Sequence, residues 1–326
     1  MAIKTPTFPV IALFALGFAA CGGEATPEPV TPANEPPAPP AEPALAPKPP
    51  QLTLQVLTGS PEGFLVNSAL IAGEKDAVLI DAQFTLADAK KVADAITASK
   101  KHLTTVYVTH WHPDHYFGFV ALHEAFPDAR LVALPATVKE IQETWESKVK
   151  QWQPIYKDAI TSKPEIPEPL EGTTIDLEGQ KLEVVGGLQG DDENNSYVWI
   201  ASLGTLVTGD LVYDDVYPWT AETDPQSRQA WIASLDKLAA VSPQVVVPGH
   251  QKPEGAQQAS NIQFTKDYLK AYDEALASSK TATDLQAKVK KLYPNAALDI
   301  VLKIGAEAAL PPKTAKAAKP TKKQGS

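Results

Sequence analysis

The sequence predicts an α/β domain built in layers around mixed sheets. Three observations carry this reading. Short runs rich in branched residues, broken by Gly or acidic turns, recur from Leu52 onward. Amphipathic stretches of helical period interleave with them. Neighbouring runs often lie close enough to form hairpin-like pairs, which suits a layered arrangement.

The elements follow in order. LTLQVLT, FLVNSALI and AVLID read as strands, residues 85–100 as an amphipathic helix, and TTVYVT as a buried strand. Phe117 to Phe126 reads as helix and RLVAL as a further strand. In the second half TTIDL, KLEVV, SYVWIA and TLVTGD read as strands. A helix is expected from about Pro225 to Ala240, VVV as a last short strand, and helices over most of 256–310. The domain is therefore set at 51–310, with C-terminal helices, followed by a tail over 311–326.

Of the 326 residues, 44% are hydrophobic, ample for a large core. The formal charge is −10, and the tail alone carries five lysines and no acid, so the rest is more acidic still. An acidic body argues against nucleic acid as a partner, because phosphate binding needs a basic surface. The tail itself reads as a disordered, solvated end.

The first 50 residues stand apart. Lys4 precedes an apolar run from Val10 to Ala20, and Cys21, the sole cysteine, follows at once. This is the layout of a secretory signal. The run falls short of the roughly 20 apolar residues a membrane span needs. Small residues before a lone cysteine resemble a bacterial lipobox, with Phe18 where leucine is usual. That resemblance implies a signal peptide over 1–20, cleavage before Cys21, and lipidation of its thiol and new amine. The protein would then be an exported lipoprotein held to a bacterial membrane, facing the periplasm or exterior. Each buried methylene of the acyl chains adds about 0.8 kcal/mol. The alternative is a secreted protein with an incidental cysteine. Residues 25–50 hold eleven prolines, so 21–50 reads as a semi-rigid spacer, or else as a plain leader.

THWHPDHYFG, residues 109–118, concentrates half of the six histidines. Pro113 disfavours helical geometry at His112, so His110 and His112 stay in a loop after the strand. Asp114 and His115 fall near the start of the next helix. Four such groups can converge on a small volume, and imidazoles with a carboxylate suit zinc, and also iron or manganese.

His-x-His-x-Asp-His resembles the opening motif of the metallo-β-lactamase superfamily, and the likeness runs over about residues 52–255. Asp81 ends AVLID where that family has a buried structural aspartate. Asp210, in Thr208-Gly209-Asp210, stands where the family has a bridging aspartate. His250, in Pro248-Gly249-His250, stands where it has the last metal histidine. The resemblance implies a four-layer αββα sandwich with two metal ions, zinc expected first, at one sheet edge. His110 and His112 would hold the first, Asp114, His115 and His250 the second, and Asp210 would bridge.

One ligand departs. Where the family supplies a third histidine to the first metal, this sequence reads GGLQGDDENNS. Gln189 takes the expected position, with Asp191 two residues on. An amide oxygen is a harder, weaker donor than imidazole. The first site is thus expected to be weaker, to carry another metal, or to recruit Asp191.

The implied chemistry is hydrolysis by a metal-activated water, with an ester, lactone, thioester or amide as the bond cut and a small molecule as substrate. Asp114 would orient the nucleophile as well as bind metal. No G-x-S-x-G or P-loop pattern is present. Ile141, Trp145, Val149, Trp152 and Tyr156 form a stripe that packs a core or lines a lid, which makes Trp145 and Trp152 candidate substrate contacts. Tyr217 and Trp219 are further candidates at the mouth. Tyr213 either donates to a developing oxyanion or is structural. Competing readings are a β-lactamase proper and a non-catalytic metal-binding or interaction domain of the same fold.

Overall fold

The computed structural model describes residues 51–311, so Cys21, the signal segment, the linker and the tail beyond 311 lie outside the described residues. Two sheets carry the fold. The first has six strands in sequence order: β1 (Thr53–Thr58), β2 (Asn67–Ala72), β3 (Asp76–Ile80), β4 (His102–Val108), β5 (Arg130–Ala133) and β6 (Glu168–Pro169). Pairing is antiparallel from β1 to β3 and parallel from β3 to β6. The second contains β7 (Thr174–Leu177), β8 (Gln180–Leu188), β9 (Asn195–Ile200), β10 (Thr205–Val207) and β12 (Val245–Val247), in the order β12-β10-β9-β8-β7. A small parallel pair joins β11 (Tyr213–Asp214) to β13 (His250–Gln251).

Strand alternation explains the layering, because successive side chains point to opposite faces. Ala69, Ile71, Val78, Ile80, Tyr107 and Val132 meet Leu182, Val184, Val198, Ile200, Val207 and Val247 in one core between the sheets. Leu70, Leu79, Val106 and Val108 face the other way, into a core with α1 (Leu86–Ser99), α2 (Phe119–Ala125) and α3 (Pro135–Tyr156). Leu206 and Val246, on the outer face of the second sheet, pack against α4 (Pro225–Ala240) and α5 (Ser260–Ala277). Two short helices, α6 (Ala282–Leu292) and α7 (Asp299–Ala309), follow α5. The result is the αββα sandwich that the sequence led us to expect.

Both faces of β2 to β4 are apolar, so hydrophobicity alone does not fix their register. Buried polar groups do. Gln83 Nε2 donates to the carbonyls of Leu57 and Val66 and to Ser68 Oγ. Asn67 Nδ2 donates to the Pro248 carbonyl, fastening the first sheet to the loop before β13.

The expected elements recur with shifted ends. α1 starts at Leu86 because the Thr85 side chain caps it, accepting from Asp88 N. α4 begins in a reciprocal capping box between Asp224 and Ser227, with Pro225 at its first position. The strand expected over TLVTGD stops at Val207, and the chain turns through a 3₁₀ turn at Gly209–Leu211. The aromatic stripe lies on the single 22-residue helix α3, where Ile141, Val149 and Trp152 are buried and Trp145 and Tyr156 partly so.

Candidate metal centre

Asp81 organises the site. It follows β3 in a left-handed conformation (φ 62°), with its amide donating to the Tyr107 carbonyl of β4. Its buried carboxylate accepts from Thr109 N at 2.9 Å, from Thr109 Oγ1, and from His115 Nδ1 at 2.8 Å. The loop after β4 is therefore fixed at both ends. Between them Pro113 opens a 3₁₀ turn, Pro113–His115, and His112 stays extended (φ −68°, ψ 139°).

Two glycines bring the remaining ligands in. Gly209 has φ +48°, and a Cβ there would stand 2.4 Å from Thr109 Oγ1. A Cβ on Gly249 would stand 2.2 Å from Asp210 Oδ1. Only glycine lets the Asp210 turn and the His250 strand close on the motif loop.

The side chains converge in two sets. His110, His112, Asp191 and Asp210 each offer one donor atom, all within 4.8 Å of one another, and so do Asp114, His115 and His250. In the first set, Asp191 Oδ2 is 2.8 Å from His112 Nδ1 and 4.0 Å from His110 Nε2. In the second, His250 Nε2 is 3.6 Å from Asp114 Oδ2. Asp210 joins the sets: Oδ2 is 3.8 Å from His110 Nε2 and 3.1 Å from His250 Nε2, and Oδ1 is 3.1 Å from His115 Nε2.

The donor set fits a metal. A ligating imidazole needs its lone pair inward and its N–H held outside. All four histidines have such an outer acceptor. His115 Nδ1 meets Asp81, His250 Nδ1 meets the Phe64 carbonyl at 2.6 Å, and His112 Nε2 meets Glu222 Oε2 at 2.6 Å. His110 Nδ1 meets Thr109 Oγ1 at 3.1 Å, whose own proton goes to Asp81. Inward, His115 Nε2, Asp191 Oδ2 and Asp210 Oδ1 are buried without a well-directed hydrogen bond, their polar neighbours being the other donors, and a bound cation would satisfy them.

Electrostatics agree. Burial, then the neighbouring His115, keeps His110 well below the ordinary imidazole value, so its lone pair stays free. Burial opposes charge on His112 too, but Asp191 and Glu222 outweigh it and hold His112 well above that value. Burial pushes the Asp191 carboxyl up to about 7, against the attraction of His112 and helped by the charge of Asp210. Crowded buried carboxylates of this kind call for a cation.

Members of both donor sets form the floor of a cleft. His112, Asp114, Asp210 and His250 open onto it, and Phe64, Trp152, Tyr217, Trp219, Leu298 and Val301 supply apolar wall.

The residue-by-residue outcome is mixed. His110, His112, Asp114, His115, Asp210 and His250 are brought together as expected. Gln189 is a correction: its Nε2 turns back to the Gly190 carbonyl, and Asp191 takes the place beside His110 and His112. The reason is local, since Asn195 Nδ2 donates to Asp191 Oδ1 and to the Asp192 carbonyl and aims the carboxylate inward. Tyr213, considered as a catalytic donor, spends its hydroxyl on Asp210 Oδ2 at 2.6 Å and stacks on His250 with rings 4° from parallel. Its hydroxyl and its ring are thus both committed to members of the donor sets. Trp152, Tyr217 and Trp219 line the cleft, whereas Trp145 does not and packs against the helical core.

Comparison with known proteins agrees with this geometry. The sequence model of the Metallo-beta-lactamase superfamily matches residues 61–250, more than half of the chain. The chain belongs to the metallo-β-lactamase superfamily. A metallo-β-lactamase family protein from Thermus thermophilus superposes with a TM-score of 0.57 at 20% identity, covering 79% of this chain and 91% of that one. A metallo-β-lactamase from Pontibacter korlensis gives 0.51 at 22% identity, over 68% of this chain and 95% of that one. These likenesses show the fold. A sequence comparison with curated proteins returned no match. The superfamily consists generally of hydrolases, and this member has its histidines and aspartates positioned to bind metal.

Sequence reasoning missed two polar residues beside the first donor set, of which Lys148 also lines the cleft. Glu222 lies on the loop between β11 and α4, and its carboxylate, despite partial desolvation, is held well below the usual range by His112 and Lys148. Lys148 was hidden among the solvent-side residues of α3, yet it is buried, 3.1 Å from Glu222 Oε1 and 4.2 Å over the Trp111 ring. Neither has a local sequence signal.

Proposed function

We propose that this chain is a metal-dependent hydrolase that uses a pair of divalent ions, zinc first among them, on an ester, lactone, thioester or amide bond of a small molecule. The observation that supports this most is Asp210, one buried carboxylate shared by two donor sets at the floor of an apolar cleft. When bound, such ions supply a water of lowered pKa and polarise the oxygen of the bond to be cut.

The chain's own residues supply the rest. Asp114 is the terminal carboxylate ligand that reaches the cleft, its side chain 15% exposed against 0% for Asp191. It is placed to hold an attacking water and to take its proton at a carboxylate oxygen. Tyr213 and Asp81 keep Asp210 and His115 from turning as charge shifts during reaction. Phe64, Trp152 and Trp219 exclude bulk water from the reacting bond and favour apolar groups beside it.

A panel of lactone, thioester, ester, amide and β-lactam reporters, assayed before and after chelation, tests this reading. At least one should be hydrolysed, with activity lost on metal removal and restored by Zn2+. Turnover that survives thorough metal removal would sink the proposal. The β-lactam arm distinguishes a β-lactamase proper from a hydrolase of other carbonyl bonds.

The exported, membrane-tethered state is part of the same proposal and is supported by the residues up to Cys21 alone. Cys21→Ser should block maturation or release the protein to soluble fractions. A variant that matures normally and stays in the membrane pellet refutes it.

A further inference from the structure

We propose that Glu222 is a positioning residue for the metal ligand His112, fixing its tautomer and ring orientation from a loop separate from every metal ligand. This rests on the proposed metal site. The other three histidines anchor their outer nitrogens to groups within the site's own scaffold: Asp81, Thr109 and the Phe64 carbonyl. His112 alone reaches across to the segment before α4, where Glu222 Oε2 lies 2.6 Å from its Nε2.

Glu222 is itself held. Oε2 also accepts from Trp219 Nε1 at 2.8 Å, and Oε1 accepts from Lys148 Nζ at 3.1 Å. A third of its side-chain surface stays accessible, so its fixity comes from these three donors. Its loop is pinned from below. Arg228, 1% exposed, donates Nη1 to Thr223 O and Oγ1, and its Nε donates to Asp273 at 2.6 Å.

The contacts close into a ring around the first donor set. Lys148 lies over Trp111, which stands between the two ligand histidines in sequence. Trp111 Nε1 donates to Asp192, the neighbour of the ligand Asp191. Asp191 returns to His112 Nδ1 at 2.8 Å. An acceptor at Nε2 keeps a proton there, so a metal would displace only the proton that Asp191 favours on Nδ1 and would meet the lone pair between Asp191 and His110. A glutamine cannot reproduce this. Its amide would turn an N–H either onto Lys148 or onto the N–H groups of His112 and Trp219.

The test compares Glu222→Gln with Lys148→Met in full-length protein by Zn2+ titration against a chromophoric chelator. Removing such an outer partner typically weakens metal binding about 10- to 100-fold. Glu222→Gln should lose that much in one of the two equivalents and leave the other unchanged, while Lys148→Met leaves both within about threefold. Equal losses in the two variants would reduce Glu222 to a salt-bridge partner of α3 and overturn the inference. So would unchanged affinity in Glu222→Gln. Wild-type protein that takes up no Zn2+ would instead overturn the metal-site reading itself. Nitrogen NMR of His112 in the Zn2+-loaded wild type gives a check that needs no variant: a proton on Nε2 alone is expected, and a proton on Nδ1 refutes the proposal.

Discussion

Asp191→Asn should act with opposite signs on the metal-free and the metal-loaded protein. Asparagine keeps the shape and can still accept from Asn195 at the Oδ1 position. It removes the negative charge facing His112 and His110. Without metal, that charge is a burden. Burial and Asp210 raise the carboxyl from 3.8 to about 7, so the folded chain binds this proton more tightly than the unfolded chain does between those values. Metal-free wild type therefore loses stability as pH rises through that window, by a few kcal/mol in all. The asparagine variant lacks this slope and should melt no lower than wild type at pH 8.

With metal, the sign reverses. Asp191 is the only carboxylate the first set does not share, and removing one member of a buried charge pair costs about 3–5 kcal/mol. At about 1.4 kcal/mol per tenfold, affinity for one equivalent should fall by roughly two to three and a half powers of ten. Zn2+ competition titration reads the affinity, and thermal melts with and without chelator read the stability. Gln189→Ala, whose side chain turns to Gly190, should change neither. If Gln189→Ala strips the metal and Asp191→Asn does not, the assignment of this loop is wrong.

Two further outcomes follow from the geometry. Tyr213→Phe removes a donor to the buried Asp210 carboxylate, a bond to a charged group worth about 1.5–3 kcal/mol, so metal binding should weaken roughly 10- to 100-fold. Turnover that collapses while metal affinity holds would restore an oxyanion role to its hydroxyl. His123 is raised above its ordinary value chiefly by Glu165, which both bonds and attracts it, with Pro127 O as second acceptor. The raised sign means its contribution to stability is complete below about pH 6.5 and is lost as pH rises through the raised value. NMR titration should place wild-type His123 above the Glu165→Gln variant, and coincident curves would refute the pairing.

The cluster of possible donors on the motif loop was legible because the spacing is local: an extended pair, a proline and one turn bring four such residues near one another. The layered α/β class was legible because branched-residue runs interleave with amphipathic stretches, whereas the four-layer αββα arrangement came only with the family resemblance. Other features were not. β6, β11 and β13 are two residues long and have no period to read. Gln189 and Asp191 are close enough in sequence that only the hydrogen bonds from Asn195 decide which one turns inward. Glu222 meets His112 across 110 residues, a contact made by the packing of α3 and the loop before α4 rather than by any motif.

Asp191 changes what distinguishes the two donor sets. With an amide in that position the first would be the poorer one. With a carboxylate, each has two imidazoles, one carboxylate of its own and a share of Asp210. Ligand softness then cannot separate them, since the same mixture of nitrogen and oxygen accepts zinc, iron or manganese. Their difference must come from outside the donors. Asp191 and His110 are sealed at 0% exposure behind Trp111 and Asp192, whereas Asp114 and His250 open onto the cleft. A ligand entering along Phe64 and Trp152 therefore meets the second set directly, and of the first only His112, the histidine held by Glu222, besides the shared Asp210. Selectivity between the positions is thus expected to follow access and the outer hydrogen bonds. The variants at Asp191 and Glu222 separate the contribution of a donor from that of an outer hydrogen bond, because one removes a donor and the other leaves every donor in place.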